Sequence, residues 1–177
     1  MGKNIVILSG SPRRNGNSEQ LVSKFKEGAE SAGNTVTVFR PAFMQFSGCT
    51  GCGFCQKNQG TCTLKDDMTQ ALAALVDADV IVWASPVYYF SVSGQLKLAI
   101  DRMFPLTVGS PKKLALLMTC ADETSDTAAG ALEIFHKTRE YNGWEDAGVI
   151  IATGVHEIND IAGHDALGQA WRLGQGI

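Results

Sequence analysis

The sequence predicts an α/β domain, a parallel sheet of five strands with helices packed on both of its faces. Three observations carry this reading. Short, continuous apolar runs recur along the chain, segments with apolar residues at helical spacing lie between them, and the two kinds alternate from one end to the other. Continuous rather than alternating runs suit strands buried on both faces, as in parallel sheets. Regular strand–helix alternation is the pattern of α/β domains, and right-handed crossovers limit how the helices cover the sheet.

The elements follow in order. Residues 5–8 (Ile-Val-Ile-Leu) form the first run, bounded by polar Asn4 and Ser9. Leu21, Phe25 and Ala29 then repeat at i, i+4, i+8 on one helix face. Asn17 is placed as that helix's N-cap, with Gln20 three residues later as in a capping box, and Gly33 as its C-terminal stop. Residues 36–39, with threonine between apolar residues, read as the second strand. Met68, Leu72, Leu75 and Val76 make a second helical stripe, with Asp66 and Asp67 at its favourable N-terminal end. Residues 80–84 are the third strand, and Leu96, Ile100 and Met103 the third helix. Residues 114–118 and 149–152 are the fourth and fifth strands, with Leu132 and Phe135 on a helix between them. Leu167, Ala170, Trp171 and Gly174 suggest a last helix, weakened by Gly163 and Gly168. Residues 41–65 carry no periodic pattern, and irregular stretches this long in compact domains are usually functional.

At 177 residues the chain is the size of one domain, and no linker or repeat divides it, so residues 1–177 read as one unit. Hydrophobic residues make up 45% and charged residues 19%, which excludes a disordered tail protein. The net charge is −3 and no basic stripe is visible, which speaks against nucleic acid as a partner. No apolar run approaches the roughly 20 residues needed to cross a bilayer. Near the N-terminus only residues 5–8 are continuously apolar, too short for a signal-peptide core. A soluble, cytoplasmic chain is expected. In a reducing cytosol clustered cysteines read as metal or redox sites before structural disulfides, and four of the five cysteines fall between Cys49 and Cys62.

Two loops are candidates for ligand binding. Ser9-Gly10-Ser11-Pro12-Arg13-Arg14-Asn15-Gly16-Asn17-Ser18 follows the first strand and opens the first helix, where free N–H groups and the helix dipole favour an anion. Its hydroxyls, the Asn17 amide and a guanidinium suit a phosphate monoester. No Gly-Lys-Ser/Thr ends the loop, so it is not a Walker A loop, and Gly-x-Gly-x-x-Gly is absent. That absence weighs against half of a Rossmann dinucleotide fold, the other architecture the periodicity allows. Ser85-Pro86-Val87-Tyr88-Tyr89-Phe90-Ser91-Val92-Ser93-Gly94 follows the third strand. In a sheet of order 2-1-3-4-5 both loops face the crevice where strand order reverses. The three aromatics there suit either a flat ring or a core or subunit contact.

The strings GSPRRNGNS and SPVYYFSVSGQLKLAIDR resemble the NADPH-dependent FMN reductase branch of the flavodoxin-like flavoproteins. The intervening Cys49-Thr-Gly-Cys52-Gly-Phe-Cys55, Gly60-Thr-Cys62 and Asp66-Asp67-Met68 are similar to the iron–sulfur flavoprotein subgroup. The resemblance implies a flavodoxin-like three-layer sandwich of order 2-1-3-4-5 and FMN as cofactor. It places the phosphate on Ser9, Ser11, Pro12, Arg13, Asn17 and Ser18, and the isoalloxazine against Pro86, Val87, Tyr88 and Tyr89. It adds a third contact after the fourth strand, at Cys120 and Ala121. It also implies a homodimer, sometimes paired into tetramers.

The spacing C-x2-C-x2-C-x6-C offers Cys49, Cys52, Cys55 and Cys62 as metal ligands. Three cysteines at two-residue intervals match the ferredoxin run around a [4Fe–4S] cluster, with Cys62 as the fourth thiolate. Zinc and a metal-free thiol cluster are the alternatives, although four-thiolate zinc sites more often pair two C-x2-C knuckles across a longer insert. The nearest basic residue is Lys57, so no thiol is marked as activated. Glu133 and His136 form one Glu-x-x-His pair, short of the two that a di-iron bundle needs. His156 and His164 stand alone. Lys97 and Arg102 are placed on a helix face beside the crevice or at a dimer contact. Phe43, Met44 and Phe46 suit loop core or a flavin shield.

The reading is thus an FMN-dependent oxidoreductase. It takes electrons from NAD(P)H, or from ferredoxin if a cluster is present, and passes them to a small acceptor such as a quinone or a flavin. Hydride transfer requires no acid–base side chain, so no catalytic residue is named. A flavodoxin-like electron carrier and a zinc-stabilised binding module are the alternatives. Arg13 and Arg14 in a long phosphate loop favour the reductase over the carrier.

Overall fold

A computed structural model describes residues 2–177. Strands β1 (Asn4–Ser9), β2 (Thr35–Phe39), β3 (Val80–Pro86), β4 (Lys113–Thr119) and β5 (Glu145–Ala152) form one sheet in the order β2-β1-β3-β4-β5, every pair parallel. This is the flavodoxin-like order expected from the sequence. Alternate residues of each run face opposite layers. Ile5, Ile7, Val80, Val82, Ala84, Ala115 and Leu117 pack under α1 (Asn17–Ser31) and α6 (Asp165–Gly176). Val6, Leu8, Ile81, Trp83, Leu114, Leu116 and Met118 pack under α3 (Met68–Asp77), α4 (Gly94–Arg102) and α5 (Ala129–Asn142). Two buried faces are why these runs are apolar without alternation.

The edges differ from the centre. β2 and most of β5 are only half-buried. β5 begins at Glu145, earlier than its apolar run at 149–152, because an edge strand tolerates polar residues on its open side. Its register with β4 skips one residue between Leu114 and Ala115, where Gly148 lies at φ +129 and donates its N–H to Asp146 Oδ1 at 2.8 Å.

Three sequence placements change. Gly16, not Asn17, holds the N-cap position of α1, and no side chain caps that helix. The Asn17 carboxamide instead donates to Glu157 O and accepts from Ile161 N–H, and Gln20 reaches Asn159 rather than closing a capping box. Val76 lies on the exposed side of α3, whose buried stripe is Met68, Ala71, Leu72 and Leu75. The last carbonyls of α3 are met by the buried Lys112 ammonium, which donates to Val76 O and Ala78 O, both at 2.7 Å. Burial lowers the pKa of Lys112.

Arg102 is the third. It leaves the outer face of α4 and turns inward, 1% exposed, to form a forked pair with Asp66 at 2.7 and 3.0 Å. Asp66 also accepts from the Ser47 and Met68 N–H groups. Its carboxyl is held below the usual range by the hydrogen bonds from Arg102 first, opposed by burial and helped by the Ser47 N–H. Asp66 therefore has a specific partner beyond the favourable dipole of α3.

Two glycines set the helix pair on the other face. A Cβ on Gly28 of α1 would stand 2.0 Å from Trp171 O, and one on Gly174 of α6 would stand 2.1 Å from Phe25 O. The glycines that weaken α6 by propensity include the one that lets it meet α1.

Gly174→Ala is expected to destabilise the fold by about 1–3 kcal/mol through overpacking, outweighing a helix-propensity gain of about 1 kcal/mol. Gly176→Ala, whose Cβ would have nothing within 4 Å, should not destabilise; urea unfolding of the two variants checks this. The Asp66 pair has a pH signature. A carboxyl with a lowered folded pKa contributes its stability in full above the unfolded value of about 3.9 and loses it as pH falls through the folded value. Asp66→Asn, which leaves a buried guanidinium without its anion, is expected to lose about 3 kcal/mol at pH 7. The gap from the unsubstituted chain should narrow below about pH 4, measured by urea unfolding at both pH values.

Candidate functional site

The registers bring the carboxyl ends of β1, β3 and β4 level, with Ser9 beside Ala84 and Pro86 beside Thr119. Here the chain leaves β1 for one face of the sheet and β3 for the other, which opens a crevice at the point of reversal. Backbone groups that run past the strand ends still need partners. Gly10 N–H donates to Ala84 O at 2.8 Å, and Ser93 Oγ donates to Gly10 O at 2.7 Å. Ser93 N–H donates to Ser85 Oγ at 2.8 Å, and Val87 N–H to Thr119 O at 2.8 Å. A Cβ on Gly10 would stand 2.5 Å from Leu96 Cβ, so only glycine fits between the first loop and α4.

Buried polarity concentrates in this place. Apart from Arg102 and Lys112, every buried polar residue among the described residues lies at these strand ends or on the helices they open: Ser9, Ser11, Asn17, Ser18, Ser85, Ser93 and Thr119. Ser18 Oγ and Thr119 Oγ1 share a hydrogen bond of 2.7 Å. Ser11 Oγ accepts from Arg13 N–H at 3.2 Å. The first turn of α1 is free of a side-chain cap and begins beside the Ser11 hydroxyl, with Ser18 in that turn. That donor set fits a phosphate monoester.

The other expected phosphate ligands are disposed differently. Ser9 Oγ donates to the Glu19 carboxylate, whose other oxygen lies 2.9 Å from Arg40 Nη2. Arg13 is exposed and its Nη1 donates to His156 O at 3.1 Å, while Arg14 stacks on Phe43 at 4.0 Å from the ring centroid. Pro12 is half-buried beside them. Sequence reasoning did not single out Glu19, Thr119 or the segment from His156 to Ile161 that packs on the loop. Thr119, a hydroxyl at the end of an apolar strand, was the one with a visible signal.

Pro86 and Val87 are half-buried at the end of β3. Tyr88 and Ser91 then exchange both backbone hydrogen bonds, at 2.9 and 3.1 Å. The two residues between, Tyr89 and Phe90, lie at φ +47 and +63. A two-residue turn with both φ values positive favours asparagine and glycine, so two aromatics there carry backbone strain. The Phe90 carbonyl presses on Gly130, where a Cβ would stand 2.4 Å away. Tyr89 is 98% exposed and touches little of its own chain. Cys120 is buried, its thiol directed at Asp122 O and Thr124 O, and burial raises its pKa. Ala121 beside it is exposed.

Residues 41–65 are largely irregular, as expected, broken by a single 3-10 turn at Pro41–Phe43 and the short α2 (Phe54–Lys57). Cys49, Cys52, Cys55 and Cys62 line a single pocket of about 90 Å³, with Arg102 and Pro105 in its wall. Gly51, Gly53 and Gly60 turn the chain around it at positive φ. Among the described residues no three metal-ligating side chains converge on one point, so the thiols share a pocket without forming a closed ligand cage. Cys55 is buried and Cys49 and Cys52 are exposed. The Cys52 thiol is lowered, first by the Phe54 N–H and then by the Thr63 hydroxyl, although no basic residue marks it in sequence. A larger cavity, about 1000 Å³, opens between α4 and α5 over Ile100, Ile134, Tyr141 and Trp144 and meets the cysteine segment at Cys49. No helix among the described residues is long and apolar enough to cross a membrane.

Comparison with known proteins fits this geometry. The chain is 36% identical over 100 residues to an iron–sulfur flavoprotein of Archaeoglobus fulgidus, covering 56% of this chain and 45% of that protein. It is 36% identical over 105 residues to one of Methanocaldococcus jannaschii, covering 59% and 54%. The matches span about half the length of these curated relatives. The solved NAD(P)H:quinone oxidoreductase from Methanothermobacter marburgensis has the same fold at TM-score 0.75 and 18% identity, over 99% of this chain and 97% of its own. An azoreductase from Bacillus anthracis does so at 0.74 and 18%, over 100% of both. The family of NADPH-dependent FMN reductases matches residues 3–143, from the first strand through α5. On that match the chain belongs to this family, and its curated relatives set it beside the iron–sulfur flavoproteins.

Proposed function

We propose that residues 1–177 act as one FMN-binding domain of an NAD(P)H-dependent oxidoreductase. The observation that carries this is the set of buried hydroxyls at the ends of β1, β3 and β4, facing a helix start that no side chain caps. Ser11, Ser18 and Thr119, with the N–H groups that open α1, hold the phosphate. Asn17 supports them from behind by tying α1 to the segment around Glu157. Ser9 belongs to the same set with its hydroxyl turned to Glu19, and Arg40 offsets the Glu19 charge that would otherwise repel a phosphate. Arg13 swings from His156 O to cover the anion, with Pro12 fixing the start of the turn.

Pro86, Val87 and Tyr88 form the wall for the flavin ring, closed at the far side by Cys120 and Ala121. Tyr89, exposed at the tip of its strained turn, reaches a ring held by a second copy or covers the bound nicotinamide. FMN, when bound, supplies the hydride-accepting centre, and the protein supplies position and electrostatics. The electrons leave to a small acceptor of quinone or flavin type. The quinone oxidoreductase and azoreductase sharing this fold are compatible with such an acceptor. Cys49, Cys52, Cys55 and Cys62 supply the four thiolates of a [4Fe–4S] cluster, drawn together from the pocket they already share. With the cluster, one-electron partners such as ferredoxin come within reach. A cytoplasmic homodimer or tetramer completes the reading.

Ser11→Asp sets a carboxylate against the phosphate. At about 4 Å and an effective dielectric of about 20 the repulsion is about 4 kcal/mol, so FMN affinity should fall at least a hundredfold. Unchanged FMN retention on gel filtration would place the phosphate elsewhere. The FMN-loaded wild type should oxidise NAD(P)H with a quinone present, and an inert protein would be an electron carrier instead. Cys55→Ala is expected to lose most of the iron taken up on anaerobic reconstitution while keeping FMN. Full iron by colorimetric assay would remove Cys55 from the ligand set.

A further inference from the structure

One guanidinium holds both ends of the cysteine segment. Arg102, at the end of α4, donates from Nη1 to Ser47 O at 2.7 Å, just before Cys49. The same Nη1 and Nη2 grip Asp66, just after Cys62. The same ends also meet directly, Ser47 N–H donating to Asp66 and Gln45 N–H to Asp67, and Arg102 spans both. Arg102 also lines the pocket of the four cysteines, and Asp66 does not. Cys62 lines the same pocket.

One nitrogen of the guanidinium is informative because it has no partner at all. Arg102 Nε–H is buried and has no acceptor. A buried charged donor left unmade is expensive, and a native structure rarely keeps one without a reason. An anionic sulfur group in the pocket is the acceptor it lacks. Asp66 is held by Nη1 and Nη2 and does not line the pocket, which leaves Nε without a partner on a residue that does.

Resting on the four-thiolate reading above, we propose that Arg102 is the positioning and charge-setting residue of the cysteine site. It fixes both ends of the segment and turns a free donor and a positive charge toward the sulfur atoms. Taking up one electron adds one negative charge to a group already made anionic by four thiolates. A fixed cation beside it favours the reduced state and raises its potential.

The test is anaerobic reconstitution of the full FMN-loaded chain with ferrous iron and sulfide. Iron and sulfide are then assayed, and a dithionite titration is followed by electron paramagnetic resonance. Arg102→Gln should keep FMN but titrate at a more negative potential. The expected change is at least tenfold in the reduced-to-oxidised ratio at a fixed poise, about 59 mV for one electron. Asp66→Asn, which unbalances the same guanidinium, should move the potential the opposite way. Arg102→Lys keeps the charge and loses the fork, so it should load less iron while the loaded fraction titrates near the wild-type value.

An unmoved potential in loaded Arg102→Gln, or equal-signed shifts in Arg102→Gln and Asp66→Asn, overturns the proposal, since a merely structural anchor loosens the site alike in both. Where Arg102→Gln fails to fold, shown by loss of FMN, the lysine variant decides: iron loading equal to wild type overturns the clamp. A wild-type chain that binds FMN but takes up no iron and sulfide overturns the four-thiolate reading, and this proposal with it.

Discussion

The requirement that backbone groups find partners where strands end governs this molecule. In the sheet the parallel ladders meet that requirement. At the carboxyl ends of β1, β3 and β4 the ladders stop, while the chain is still buried between two helical layers. Serine and threonine hydroxyls and the Gly10 N–H take over, linking the first loop to β3, α4 and β4. Among the described residues these hydroxyls, with Asn17, make up the buried polarity apart from Arg102 and Lys112, so the crevice has a polar floor where the rest of the sheet is apolar.

The second constraint is charge. Arg102 and Lys112 are the buried cations, and each is answered in its own way. Lys112 is satisfied by two carbonyls at the end of α3, a purely structural use. Arg102 has a carboxylate and a carbonyl but its Nε has no partner, and the residue lines the cysteine pocket. The pair thus ties the fold of the cysteine segment to the electrostatics of its pocket. The cysteine pocket and the crevice are joined through α4, whose N-cap Ser93 bonds to Gly10 in the first loop and whose last residue, Arg102, binds Ser47 and Asp66 on either side of the cysteines.

Much was legible because it repeats at short range. The apolar runs located all five strands, and the stripes located the long helices, since both follow from side-chain periodicity against a buried layer. The loop after β1 stood out in the sequence because its hydroxyls, glycines and position after a strand are consecutive. The cysteine spacing was legible for the same reason. Asn17 was misplaced as a cap because its partners, Glu157 and Ile161, lie far along the chain. Arg102 was placed on a helix surface because nothing in its own helix announces Asp66, and Val76 was counted in a stripe from which its rotation on α3 removes it.

By itself the sequence determined the alternation of strands and helices, the loop with phosphate chemistry and the four clustered thiols, all features written in neighbouring residues. Only the tertiary structure decided that Thr119 joins Ser18 across the crevice, that Glu157 and His156 pack on the loop after β1, and that the four cysteines share one pocket with Arg102. These are contacts between segments far apart in the chain. They depend on register and on which face each helix covers, and no local pattern encodes either.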